Sequence, residues 1–223
     1  MTGTPYHHGN LRDALVEAAV DVVREGGPEA LALRELARRV GVSHAAAYRH
    51  FADREALVDV VAQRALQTFV ERIRERLATI DESDPVTRAR RRLVEIGVAY
   101  VGFALTESGL FRLLFTAYPD APDGNAPDGK GELAGEDPYA MLNEALDDLV
   151  EVGYLDERDR VGADVTCWAA VHGFSVLNVE GPLRGLQEVD RDVALSTMLL
   201  GIDRAFGAGR EWPRLAPVML NNA

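Results

Sequence analysis

Apolar residues recur three and four apart along most of the chain, the period of helices with one buried face. Leu11, Leu15, Ala18, Ala19, Val22 and Val23 form the first such face. Asn10 precedes it with Asp13 three residues on, the spacing of a capping box with the shorter acid, which predicts Asn10 as the N-cap. Gly26-Gly27-Pro28 ends that helix. A short helix follows over 33–40, then Gly41 in a tight turn, since glycine accepts positive φ at little cost. Ser43 caps a third helix over 44–51, and Asp53 caps a long fourth to about Ile80. Asp84-Pro85 opens a fifth, whose face carries Leu93, Ile96, Gly97, Tyr100, Phe103 and Ala104. Glu107-Ser108-Gly109 breaks it, and a short apolar segment runs on to Tyr118. Residues 119–138 hold four prolines, four glycines and six acids against one lysine, with a five-residue tandem repeat, and read as a loop. Helices resume over 138–153, 161–180 and 190–206. No segment alternates like a strand. The expected fold class is all-α with about nine helices: an N-terminal helix-turn-helix domain (1–54) and a larger C-terminal helical domain (55–223).

Composition narrows the class. With 47% hydrophobic and 27% charged residues the chain has the makeup of a globular protein, which excludes wholesale disorder. No apolar run approaches the ~20 residues of a membrane span. The first residues lack the basic-then-apolar order of a secretory signal. One cysteine, Cys167, excludes an internal disulfide framework and a multi-cysteine zinc site. The expectation is a soluble cytoplasmic protein without a membrane partner or cofactor. The net charge of −12 is unevenly placed. Residues 1–54 hold seven arginines and seven acids with four of the five histidines, so the whole negative charge belongs to the rest. A neutral segment with a local basic face can bind phosphate while an acidic body repels non-specific DNA. Chance asymmetry would look the same by charge alone.

The stretch from Leu33 to Arg54 carries the function. Two short helices joined by a glycine turn make a helix-turn-helix, with Leu36, Ala37, Val40, Val42 and Ala47 placed to pack them together. The second helix, His44-Ala45-Ala46-Ala47-Tyr48-Arg49-His50-Phe51, has few large apolar groups. Small alanines let a backbone approach a groove floor, and their methyls can touch thymine methyls. Tyr48, His50 and Arg54 are phosphate donors along one edge, with Arg49 in the same set. An alanine-rich solvated helix is the plainer reading of the same pattern.

Leu33-Arg34-Glu35-Leu36-Ala37-Arg38-Arg39-Val40-Gly41-Val42-Ser43, then Tyr48-Arg49-His50-Phe51 and Arg54-Glu55-Ala56-Leu57, resembles the DNA-binding domain of the TetR family of transcriptional regulators. The likeness covers about residues 10–60. It implies three N-terminal helices on DNA and a helical body that dimerises and holds a small-molecule effector. The leader Tyr6 to Arg12 and Trp168-Ala169-Ala170-Val171-His172-Gly173 resemble a branch with a Trp…His-Gly signature. By the resemblance, Arg34 reaches base edges or phosphate. His44, Ala45 and Ala46 fall where bases are read, and Ser43, Tyr48, His50 and Arg54 where phosphates are held. The chain departs from the family at Ala32 and Leu33, where members often carry Ser or Thr. That leaves bare backbone N–H groups at the start of the second helix.

The body is read more openly. Residues 165–179 carry no charged side chain, so this helix is buried on several sides and faces both its own domain and a partner. The expected homodimer interface is 161–180 with 190–206. Trp168, His172, Ser175 and Val179 share one face, with Asn178 near it. That face lines either an effector pocket or plain core, with Tyr100, Phe103, Phe111, Phe115 and Tyr118 as further apolar wall. Other chemistry is thin. No nucleophile elbow or glycine-rich phosphate loop occurs. His7-His8 lacks nearby ligands. Cys167 and His172 lie five apart on different helix sides. The run Arg88-Ala89-Arg90-Arg91-Arg92 reads as a solvated face pairing with acids. The leading expectation is a dimeric repressor, not an enzyme, released from a palindromic operator by a small, largely apolar ligand. The alternative is a helical scaffold or fused enzyme whose helix-turn-helix is only structural.

Overall fold

A computed structural model describes residues 8–117, 137–207, 215–216 and 219–220, with the side chains of residues 8–10 and 117 left out. The leader before His8, the side chain of Asn10, Tyr118 and the repeat-bearing segment 119–136 lie outside the described residues. Among the described residues there are nine α-helices and no strand, as the periodicity predicts. No single helix is long and apolar enough to cross a membrane. The residues fall into two compact units, divided within the fourth helix between Thr68 and Phe69 and again between Thr106 and Glu107. The division therefore does not coincide with residue 54, where the fourth helix has just begun.

The first unit holds α1 (His8–Gly26), α2 (Leu33–Val40), α3 (His44–Tyr48), the start of α4 (Arg54–Ala78) and α6 (Ser108–Ala117). α1 starts at His8, so Asn10 lies inside the helix and is not its cap. The apolar face is where the pattern put it: Leu11, Leu15, Ala19, Val22 and Val23 are all buried. The chain leaves α1 through Gly27 at φ 77°, a left-handed value that glycine tolerates, into a 3-10 turn at Pro28–Ala30. α6 packs on α1. At that crossing a Cβ on Gly109 would sit 2.0 Å from the Val23 carbonyl oxygen, so only glycine permits the approach. Arg24 on α1 donates to Glu107 at the head of α6, at 2.8 Å.

The second unit holds the rest of α4, α5 (Pro85–Thr106), α7 (Pro138–Glu151), α8 (Ala163–Val179) and α9 (Glu188–Phe206). Asp84 caps α5 by accepting from the Thr87 N–H at 2.8 Å, and Asp137 caps α7 from Tyr139 and Ala140. α5 is the central element: it packs on α7, α8 and α9, and Leu93 to Val101 are buried throughout. Its basic run is only partly a solvated face. Arg92 pairs with Asp148 and Arg91 lies 3.8 Å from Glu95. Arg90, 2% exposed, is instead buried in a two-pronged bridge to Asp203 on α9, at 2.9 and 2.7 Å. The Tyr154 ring stacks on that guanidinium at 4.7 Å, and its hydroxyl donates to the Asp203 carbonyl. Periodicity could not foresee this, because the partner lies more than a hundred residues away.

Candidate functional site

In the first unit, α2 and α3 meet across the Gly41 turn. Gly41 stands at φ 76° with its N–H directed to the Ala37 and Arg38 carbonyls. Nothing lies within 4 Å of where its Cβ would be, so the backbone angle alone selects glycine here. Leu36, Ala37 and Ala47 are fully buried between the helices, while Val40 and Val42 are half-buried. The Ser43 hydroxyl oxygen accepts from the Ala46 N–H at 3.2 Å and caps α3. α3 is shorter than its sequence suggested: it ends at Tyr48, and Arg49 to Phe51 turn away toward α4. Phe51 goes inward, 2% exposed, beneath the Arg12 guanidinium 5.4 Å from its ring.

This geometry sorts the expected contact residues. Arg34, Ser43, His44, Ala45, Tyr48 and Arg49 are exposed, with Tyr48 at 49%, and His50 is half-buried. Ala46 is not brought to the surface. It is 8% exposed and lies inward beside Ala47. Arg54 is exposed at its edge, yet donates to the Leu31 and Pro28 carbonyls at 3.2 and 2.8 Å. Those bonds hold the segment leading into α2. Arg38 and Arg39 are paired with Glu35, and Arg39 also with Glu25, within the motif. Hydrogen bonds from both arginines hold the Glu35 carboxyl down at about 2. The cap of α2 is Ala32, with no side-chain bond, as the departure from the family pattern implies.

In the second unit a line of rings runs along one face of α8. Tyr139 of α7 meets Trp168 edge-on at 6.3 Å and donates its hydroxyl to Asp164. Trp168 meets His172 at 6.3 Å. The Tyr100 hydroxyl and His172 Nδ1 share a hydrogen bond of 2.9 Å. Tyr100 lies edge-on to Phe69 at 5.3 Å. Burial raises the Tyr100 phenol well above its ordinary value and lowers His172, favouring the neutral form of each. Ser175, one turn beyond His172, is fully buried, and no partner reaches its Oγ. Asn178 is satisfied: its amide donates to the Phe174 carbonyl, and its oxygen accepts from Arg191. Trp168, His172 and Val179 are half-buried.

Phe103 stacks on Phe69 at 5.0 Å and is core. Phe111 and Phe115 belong to the first unit, where their rings pack together at 5.0 Å. Cys167 is a buried small hydrophobe, its thiol pushed up to about 12 by desolvation. Sequence reasoning missed Tyr139. Its one local signal is the Asp137-Pro138 cap that fixes where α7 begins.

Comparison with known proteins matches two family models to the chain. The family model for bacterial regulatory proteins of the tetR family matches residues 15–61. The tetracyclin repressor-like C-terminal domain matches 93–201. The nucleoid occlusion factor SlmA of Photorhabdus laumondii subsp. laumondii is 32% identical over 106 residues, 47% of this chain and 50% of that protein. The class C tetracycline repressor protein of Escherichia coli is 38% identical over 55 residues, 25% of each. The chain thus spans between a quarter and a half of the length of these curated relatives. A solved structure of a protein of unknown function from Rhodococcus sp. RHA1 has a TM-score of 0.74 at 29% identity, over 92% of this chain and 100% of that one. With the two family models matching in chain order, over 15–61 and 93–201, the chain belongs to the TetR family of bacterial regulatory proteins.

Proposed function

We propose that the chain is a DNA-binding transcriptional regulator, a homodimeric repressor released from a palindromic operator by a small, largely apolar ligand. The observation that carries this reading is the two-sided character of α3. Ala46 and Ala47 are buried, while His44, Ala45, Tyr48 and Arg49 are left outward on a capped, compact ridge. Such a ridge fits a major groove, with the alanine methyl near the bases and Arg34, Arg49, Tyr48 and His50 toward the backbone. A dimer supports two ridges about one DNA turn, ~34 Å, apart or a multiple of it. For the dimer we assign 161–180 with 190–206, where Val161, Val165, Leu177 and Val193 are exposed. Exposed valines on an otherwise acidic body are the mark of a surface that is covered in the working state.

The test is a binding titration of the full chain against the DNA upstream of its own gene. Tyr48→Ala should weaken binding to every duplex and flatten the salt dependence, whereas His44→Ala should change sequence preference. A Tyr48→Ala variant with unchanged affinity and salt slope rejects the groove assignment.

A further inference from the structure

We propose that Ser175, together with the Tyr100–His172 pair, is the polar anchor for an uncharged ligand with an apolar body and one hydroxyl or carbonyl group. The inference rests on the ligand-responsive reading above and names the chemistry of the ligand. Among the described residues, helical threonine hydroxyls commonly donate to the carbonyl four residues back. Thr68, Thr106, Thr116, Thr166 and Thr197 all do so. Ser175 is 0% exposed and does not, so its Oγ is a buried donor and acceptor with nothing to serve. Its helix face continues through His172, already joined to Tyr100, to Trp168 and its edge-on neighbour Tyr139. Along this face Trp168 and His172 are half-buried and Ser175 is wholly buried.

Charge sets the class of ligand. Residues 165–179 and the facing stretch 96–104 of α5 contain no charged side chain. Asn178, the next polar group on α8, is occupied by Phe174 and Arg191. A carboxylate ligand meets no cation within these stretches and would be desolvated, which is strongly unfavourable. A neutral hydroxyl or carbonyl completes the Ser175 valence while its body lies along the rings.

Phenol, toluene and benzoate provide a test, since they match in size and differ in one group. Each is titrated into the full-length protein by calorimetry, with operator binding and thermal stability followed in parallel. Phenol should bind roughly tenfold tighter than toluene, the equivalent of one well-formed hydrogen bond, and benzoate should bind more weakly than either. Ser175→Ala should bring phenol down to the level of toluene, about a tenfold loss. Toluene binding, operator binding and thermal stability should stay as they were, because the deleted hydroxyl had no partner. Equal binding of phenol and toluene to both proteins overturns the anchor while leaving an apolar pocket. A marked loss of stability in Ser175→Ala also overturns it, because the hydroxyl would then belong to the packing. If none of the three probes binds a protein that still holds its operator, the ligand-responsive reading itself fails.

Discussion

Arg54 shows how one side chain can be read two ways. By position it resembles a phosphate ligand, but its guanidinium is fastened to the Pro28 and Leu31 carbonyls, which fixes the approach to α2. The two roles respond differently to lysine, which keeps the charge and loses the fork. Arg54→Lys should lower stability by about 1–2 kcal/mol in urea denaturation, the scale of two partly exposed hydrogen bonds, and leave the salt dependence of DNA binding unchanged. Wild-type stability in Arg54→Lys, with a shallower salt slope in Arg54→Ala, would return Arg54 to the phosphate. His172 gives a prediction in pH. Burial lowers its folded value below the ordinary 6.5 of a free histidine. The unfolded chain therefore binds the proton more readily over that window. The stability contributed by neutral His172 is fully present above pH 6.5 and is lost as pH falls toward the folded value. Thermal melts at pH 7.5 and 5.5 should show a smaller drop for His172→Gln than for wild type. Equal drops would mean His172 does not titrate differently on folding.

Among the helices, what could be read from sequence was what nearby residues decide. The α2 span, the Gly41 turn and the caps Ser43, Asp53 and Asp84 depend on neighbours within four residues, and each stands where the pattern put it. The end of α3 at Tyr48, the grouping of α6 with α1 and the burial of Arg90 depend on partners far along the chain. Periodicity carries no information about those. The same limit held at the candidate site: spacing put Trp168, His172 and Ser175 on one face but gave no means of adding Tyr139. Two substitutions probe the long-range features. Gly109→Ala forces a methyl onto the Val23 carbonyl and should cost about 1–3 kcal/mol, the range for overpacking a tight crossing. Asp203→Ala leaves Arg90 charged and buried and should cost about 3–5 kcal/mol, the range for breaking a buried pair. Urea denaturation measures both. Losses below about 0.5 kcal/mol would show that these contacts yield without strain.

For the whole molecule, the uneven charge and the exposed valines bear on assembly. A chain of net charge −12 whose N-terminal 54 residues are neutral resists random contact with DNA through its body. Two such bodies repel unless an uncharged surface brings them together, and 165–179 is free of charge along its whole length. Val165 and Val193 are 56% and 62% exposed in the single chain. Glutamate at either position changes little within one chain, since neither side chain fills its core. Placed in a symmetric interface, it sets an unpaired carboxylate on both partners at once. Val165→Glu and Val193→Glu should therefore sediment as monomers at micromolar concentration while keeping the wild-type helical content and nearly the wild-type melting point. Each monomer presents one recognition ridge, so operator affinity should fall by more than about tenfold. The logarithmic salt slope should drop to roughly half, because half as many phosphates are neutralised. Both variants remaining dimeric would move the interface away from α8 and α9. A monomer that keeps full affinity and full salt slope would show that one chain alone makes the whole contact with DNA.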